Sequence, residues 1–525
     1  MVVPTTRAAG PVSPSGPAMS ARHARSRRSP SATTVVTVVT FLVVAAGLLW
    51  RNRAVFTQPL YEVGDAAANS LLINQAKSFD LLVGHYSRVG FNHPGPGALY
   101  LQAAGEALFT DVLGLTPAAH NGQVVAVMLL HAAVLAAVIG IVHSWCGRWP
   151  AAAAGLGALL TWYAAHKYSL AGPWIPVFVI APFLLLLVAS ASVAAGRARH
   201  LWLLAAAGGL LVHAHVAFTL FVTVLVAAAV LTWAVTERSG PLALLRRSPR
   251  AWAVAGMVVA AFAAPIAANT LLNFPGEIPK YLSYSETGTP VSPSLAEAVV
   301  FTRQFWLASG PLVNVVPVLL IAAAAAASWW APRGLRRPLA LLTAATVLAE
   351  ALLVLYALVG IDDLQQAYVA MFAWSLPAAL LLVVSVSLTA RIRPTGLLAT
   401  GVAVVVAALA VGAFRTDNLL VRPEFSGTVP GTLAAVEQAA DRSPLLLDVS
   451  PENGPYVDGM AILLQLERAD VPACVVNSEL SVQVTPARIC RADELARGQR
   501  VEFRNAGSES FPTYRDPYSD VTVLP

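Results

Sequence analysis

The residues able to do chemistry gather in 61–100, YEVGDAAANSLLINQAKSFDLLVGHYSRVGFNHPGPGALY, which carries acids, histidines and a Pro-Gly-Pro turn in a chain otherwise rich in Ala, Leu and Val. Carboxylates and imidazoles are the side chains that most often move protons near neutral pH. The segment offers Glu62, Asp65, His85 and His93, with Asn92 beside them. Further groups follow: His166, Lys167 and Tyr168; His213 and His215; then Lys280, Tyr281, Tyr284, Arg303 and Trp306. Glu350 stands inside an apolar run, where an ionisable side chain is costly and more often faces a cavity than lipid. No zinc-ligand spacing, nucleophile elbow or Walker loop is present, so metal hydrolysis, serine chemistry and P-loop phosphate binding have no sequence support.

Each group also has a plain structural reading. Asp65 can cap a helix over AAANSLLINQA, since Asp accepts hydrogen bonds from the first backbone N–H groups. His93 precedes a proline, which favours extended backbone and a loop end. The His213-x-His215 spacing does not place two ligands on one helical face, which needs three or four residues, so a satisfied interfacial histidine competes with a metal pair. Asp362-Asp363 suits a solvated turn.

The elements that must position these residues are membrane spans. Of 525 residues, 57% are hydrophobic and 12% charged, far from the roughly 25% charged of soluble domains. Apolar runs of the length needed to cross about 30 Å of hydrocarbon recur along the chain. Spans are expected at Thr33–Trp50, Val124–His143, Ala151–Ala165, Trp174–Val193, Ala251–Leu272, Leu312–Trp330, Leu339–Val359, Tyr368–Leu388 and Thr395–Phe414. The run His200–Val235 is long enough for two short helices, with His213-Ala-His215 at their hairpin. The expectation is an α-helical polytopic membrane protein of about 11 transmembrane helices, with termini on opposite faces.

Charge sets the expected orientation, because basic residues accumulate in short cytoplasmic loops. With the N-terminal tail inside, the inside loops hold Arg148, Arg197, Arg199, Arg238, Arg246, Arg247, Arg250, Arg333, Arg336, Arg337, Arg391 and Arg393. The outside loops hold Glu62, Asp65, Asp80, Asp111, Glu277, Glu286, Asp362 and Asp363. The net charge of +6 is then a topology signal, and nucleic acid is excluded as a partner. Residues 1–31 read as a disordered cytoplasmic tail, and 32–415 as the membrane domain with outer loops 51–123 and 273–311. Residues 416–525 regain ordinary charge and read as an extracytoplasmic α/β domain: strand Pro444–Val449, helix Val457–Ala469 and strand Ala473–Asn477. There Cys474 and Cys490 can pair, since exported compartments permit disulfides; Cys146 falls on the inner side with no partner. The polar groups listed above all fall on the outer face, which suggests one site at the outer membrane interface.

The order of these features resembles the GT-C superfamily of integral-membrane glycosyltransferases, which take sugars from polyprenyl-phosphate carriers. Tyr61-Glu-Val-Gly-Asp65 is similar to the first-loop acidic motif of protein mannosyltransferases and aminoarabinose transferases. Phe91-Asn-His-Pro-Gly-Pro-Gly-Ala-Leu-Tyr100 is similar to their later His/Lys-Pro-Pro-Leu-Gly segment. The family's acidic pair is here Asp65-Ala66, with Glu62 three positions earlier, and Gly95 separates the two prolines. Likeness at single residues is confined to about forty positions.

The resemblance implies transfer of a sugar from a polyprenyl-phosphate donor to an envelope glycan, lipid or protein acceptor at the outer face of the plasma membrane. It makes Asp65 the base of an inverting displacement, with Glu62 the neighbouring acid. His93, Lys167, His213, His215, Lys280 and Arg303 become candidates for binding substrate, Asn92 stands beside them, and Glu350 can orient a cation. Arg303 suits a phosphate best through its two parallel donors. Some relatives use a divalent metal, so one remains open as a cofactor, although a single acid does not make a two-carboxylate cage. Two readings of another class compete: a polyprenyl-lipid or glycan transporter, and a non-catalytic envelope-assembly subunit on the same fold. Transporters more often place charges and broken helices at the bilayer midplane in repeated halves, and no repeat is visible here.

Overall fold

The computed structural model describes residues 31–165, 170–287, 293–306, 315–391, 427–450, 453–509, 512–515 and 519–524. The expected tail 1–31 lies outside them save for Ser31, as do Lys167 with its neighbours His166 and Tyr168, and the expected span Thr395–Phe414. Seven helices among the described residues are long and apolar enough to cross a membrane: Ala32–Arg51, Ala119–Cys146, Ile175–Ala194, Phe218–Thr236, Pro249–Leu272, Arg333–Val359 and Ala367–Thr389. Three shorter helices, Trp149–Ala165, Leu201–Ala214 and Val316–Trp330, occupy the remaining expected runs. The long run from His200 breaks at His215, which is extended (φ −161°, ψ 134°).

Contacts between helix ends define two ends of the bundle. One end is tied together by arginines. Arg337 donates to the Ala194 carbonyl (3.0 Å), Arg148 to that of Ala390 (2.7 Å), and Arg391 to that of Trp330. Each caps the last turn of a neighbouring helix, where carbonyls lack partners and the helix dipole favours a cation. The opposite end carries the loops that hold Asp65, the hairpin 84–93, His215 and Asp362.

Beyond the spans, Gly64–Lys77 and Gly97–Gly105 form two short helices, and the second continues as a π-helical turn, Glu106–Val112. The C-terminal part contains a five-stranded sheet of order β2-β1-β3-β5-β4: β1 Leu445–Val449, β2 Ala473–Val475, β3 Gln499–Asn505, β4 Tyr514–Arg515 and β5 Ser519–Val523. β1 pairs in parallel with β2 and β3, while β5 runs antiparallel to β3 and β4. Leu445, Leu446, Leu447 and Val449 are buried, the near-continuous apolar run of a central parallel strand. The helix Asn453–Arg468 links β1 to β2. Cys474 and Cys490 are disulfide-bonded. The sequence reading anticipated β1, this helix and β2 but no strand beyond them.

The helix Gly64–Lys77 is held on two sides. Ala67, Ala68 and Leu71 share a core with Val429, Val436, Met460 and Leu464 of the sheet region. Leu72, Ile73 and Ala76 pack instead on Leu81, Leu99 and Ala103. The two faces of one short helix therefore join the sheet region to residues 81–103.

Candidate functional site

Asp65 sits in the first turn of the helix Gly64–Lys77, whose N-cap is Val63 with no side-chain cap bond. Asp65 is therefore not the cap that its sequence context allowed, and its carboxylate is exposed. It lines a cavity of 180 Å³ at the loop end of the bundle, one turn before Asn69, which lines the same cavity. The other walls come from separate elements. The hairpin 84–93 supplies His85, Tyr86, Arg88 and His93; the start of the helix Ile175–Ala194 supplies Ile175 and Val179, preceded by Trp174; the helix break supplies His215 and Phe218; the turn Ala367–Trp374 supplies Tyr368 and Phe372. Trp174 and Tyr368 lie 5.4 Å apart by ring centroid. Phe218 and Phe372 rest on Phe183 and Phe221, with ring centroids 4.8–6.2 Å apart, as an apolar floor.

The hairpin is closed by backbone bonds from Gly84 to His93 (2.8 Å), His93 to His85 (2.8 Å) and Ser87 to Phe91 (2.7 Å). Its tip turns at Gly90, where φ is +90°. Asn92 belongs to the support: its N–H donates to Glu277 (2.9 Å), and its carbonyl accepts from the Tyr281 hydroxyl (2.6 Å). Both partners come from the loop and helix that follow the span Pro249–Leu272.

Three histidines meet here, with His213 beside them. His93 lies between His85 and His215, each ring centroid 4.2 Å away. His93 Nδ1 accepts from the Val216 N–H (3.3 Å), and His215 Nδ1 from the Ala217 N–H (3.2 Å). A ring nitrogen that accepts carries no proton, so both imidazoles are neutral in this arrangement. Burial acts in the same direction, holding His85 and His93 well below the usual imidazole range and His215 at about 4. His213 Nδ1 accepts from the Gly97 N–H (3.0 Å) while its Nε2 meets the Phe262 carbonyl (2.6 Å). It thus satisfies the first turn of the helix Gly97–Gly105. A Cβ at Gly95 would lie 2.5 Å from the His213 ring, which gives the Pro-Gly-Pro turn its physical reason.

Among the described residues the cation that lines the cavity is Arg88, paired with Asp362 (2.5 Å). The sequence reading passed over it, although a basic residue in an acid-rich outer loop was a usable signal. Lys280 is half exposed, pairs with Glu277 (2.8 Å) and does not line the cavity. Arg303 ends the helix Leu295–Arg303, also away from it. Glu350 accepts from the Trp306 indole (3.2 Å), anchoring that same segment to the bundle.

Glu62 is fully buried and does not line the cavity either. Arg468 grips it with two bonds of 2.8 and 2.9 Å, and the Ser70 hydroxyl donates at 3.0 Å. Burial alone would raise the Glu62 carboxyl, but Arg468 and His120 outweigh it and hold the group below its ordinary value. Arg468 also lies 3.6 Å from the buried Glu106. The expected second acid of the site is therefore a bridge between the outer loop and the sheet region.

Among the described residues no three His, Cys, Asp or Glu side chains gather so as to hold a metal ion. Beside Asp65 the cavity wall carries Tyr86, Asn69, Arg88 and the imidazoles of His85, His93 and His215, with Asp65 its single carboxylate among the described residues.

Comparison with known proteins finds no matching family model and no matching curated protein. Solved structures do match. ArnT from Cupriavidus metallidurans in the apo state aligns over 94% of this chain and 98% of that one, with TM-score 0.58 and 14% identity. The same protein bound to undecaprenyl phosphate aligns over 94% and 98%, with TM-score 0.57 and 16% identity. The chain therefore shares the overall fold of that ArnT.

Proposed function

We propose that this chain is a membrane glycosyltransferase that moves a sugar from a polyprenyl-phosphate donor to an envelope glycan, lipid or protein acceptor on the outer face of the plasma membrane. The observation that carries the reading is the composition of this cavity: an exposed carboxylate, Asp65, shares it with a guanidinium, Arg88, above an aromatic floor. The binding of undecaprenyl phosphate by the structurally similar ArnT supports a lipid-phosphate donor. The positive-inside pattern supports a cytoplasmic N-terminus and an extracytoplasmic C-terminal α/β domain beginning near residue 416.

In this reading the acceptor oxygen attacks the anomeric carbon from the face opposite the phosphate. The C–O bond to phosphate breaks, the carrier phosphate leaves with the electron pair, and the acceptor proton passes to Asp65. General-base assistance of this kind contributes about 10²–10⁴-fold. Arg88 meets the charge that develops on the leaving phosphate. His85, His93 and His215, being neutral, shape and polarise the wall instead of supplying charge. Trp174 and Tyr368 offer flat faces to the sugar or the first isoprene unit.

The test is sugar transfer from polyprenyl-phosphate donors in purified membranes, comparing wild type with Asp65→Asn at equal expression. Loss of transfer in the variant is expected. Transfer that survives moves the base elsewhere, and donor binding without turnover in wild type turns the reading towards a transporter or a non-catalytic subunit.

A further inference from the structure

Asp65 does not stand alone at the cavity rim. The Tyr86 hydroxyl bonds to its Oδ1, and the Tyr456 hydroxyl lies 2.7 Å from that of Tyr86. A phenol has one proton. Tyr86 spends its own on the carboxylate, so the Tyr456 proton must point to the Tyr86 oxygen. The chain therefore runs Tyr456 to Tyr86 to Asp65, and each bond polarises the next. Burial first, then the neighbouring charges, pushes both phenols above their ordinary value, so both remain donors at any working pH.

Tyr456 is not part of the membrane bundle. It lies near the start of the helix Asn453–Arg468, between β1 and β2 of the sheet region. That helix is fastened to the Asp65 helix at both ends. Near its start, Val457 packs against Gly64, where a Cβ would lie 3.4 Å from the valine in ordinary van der Waals contact. Eleven residues on, roughly 17 Å along the axis, Arg468 grips Glu62, just before the Asp65 helix.

We propose that Tyr456 is a positioning residue of the active centre, delivered by the C-terminal region, which fixes Tyr86 so that Asp65 presents its second oxygen to the acceptor hydroxyl. This rests on the transferase reading above. It makes the sheet region a working part of the site, not a separate cap or a lid for acceptor alone.

The experiment pairs Tyr456→Phe, Tyr86→Phe and the double variant in the full-length membrane protein. Tyr456→Phe keeps the ring and removes only the hydroxyl. Its kcat should fall about tenfold, the scale of one lost hydrogen bond, with KM for the polyprenyl-phosphate sugar unchanged and thermal unfolding retained. The double variant should match Tyr86→Phe alone, because Tyr456 acts only through Tyr86. An infrared carboxylate band assigned by difference against Asp65→Asn should shift in both single variants. That band needs no turnover, so it tests the hydrogen-bond chain even if the transferase reading fails. A Tyr456→Phe enzyme within twofold of wild type with an unmoved band overturns the proposal. So does a Tyr456→Phe loss that adds in full to that of Tyr86→Phe.

Discussion

At the scale of single residues, the site separates charge from neutrality by geometry. Three histidines, His93, His213 and His215, looked like substrate or metal ligands in sequence, yet each accepts a backbone N–H bond at Nδ1. That leaves Arg88 as the cation at the cavity wall among the described residues. Arg88→Ala should lower kcat/KM for the donor about 10- to 100-fold, since hydrogen bonds to charged groups contribute about 1.5–3 kcal/mol. Arg88→Lys should recover part of this, because an ammonium lacks the planar fork of donors. Lys280→Ala, at a half-exposed residue paired with Glu277, should change kcat/KM by less than about twofold. Steady-state kinetics on the three variants separates these outcomes.

At the scale of elements, the helix Gly64–Lys77 is the part on which the rest depends. Its small residues Ala67 and Ala68 allow the sheet region to approach, and its other face seats on the helix Gly97–Gly105. The buried Glu62–Arg468 pair locks that approach. Arg468→Ala leaves the Glu62 carboxylate buried without its partner, a change that costs about 3–5 kcal/mol in such pairs. The expected result is faster hydrogen exchange across 453–475 with the spans unaffected, read by mass spectrometry. Adding Glu62→Gln to that variant should restore part of the protection, because it removes the stranded charge.

At the scale of the whole molecule, two ends of a helical bundle carry different chemistry. Arginines close helix C-termini at one end, and the cavity with its carboxylate opens at the other. Given the proposed orientation, a cysteine placed at Phe79, an exposed residue of the outer loop, should react with an impermeant maleimide in intact cells. A cysteine placed at Arg199, exposed at the arginine end, should react only after permeabilisation, with Cys146→Ser as the common background. The reverse pattern would invert the membrane orientation and move the site to the cytoplasm.

The sequence by itself determined the class of this protein, because a hydrocarbon core about 30 Å thick dictates run length and composition directly. It also marked the break at His215, the basic loops and the Asp65 segment, all of which are local features. Only the tertiary structure decided which polar groups share a cavity. Glu62 finds Arg468 across 406 residues, Tyr86 finds Tyr456 across 370, and His93 finds Val216 across 123. Contacts at such separations leave no period or spacing in the chain. For the same reason β3 to β5 were not anticipated: their pairing partners, not their own residues, hold them as strands. Arg88 was legible as a charge out of place, whereas its role depended on a hairpin and four other elements meeting at one end of the bundle.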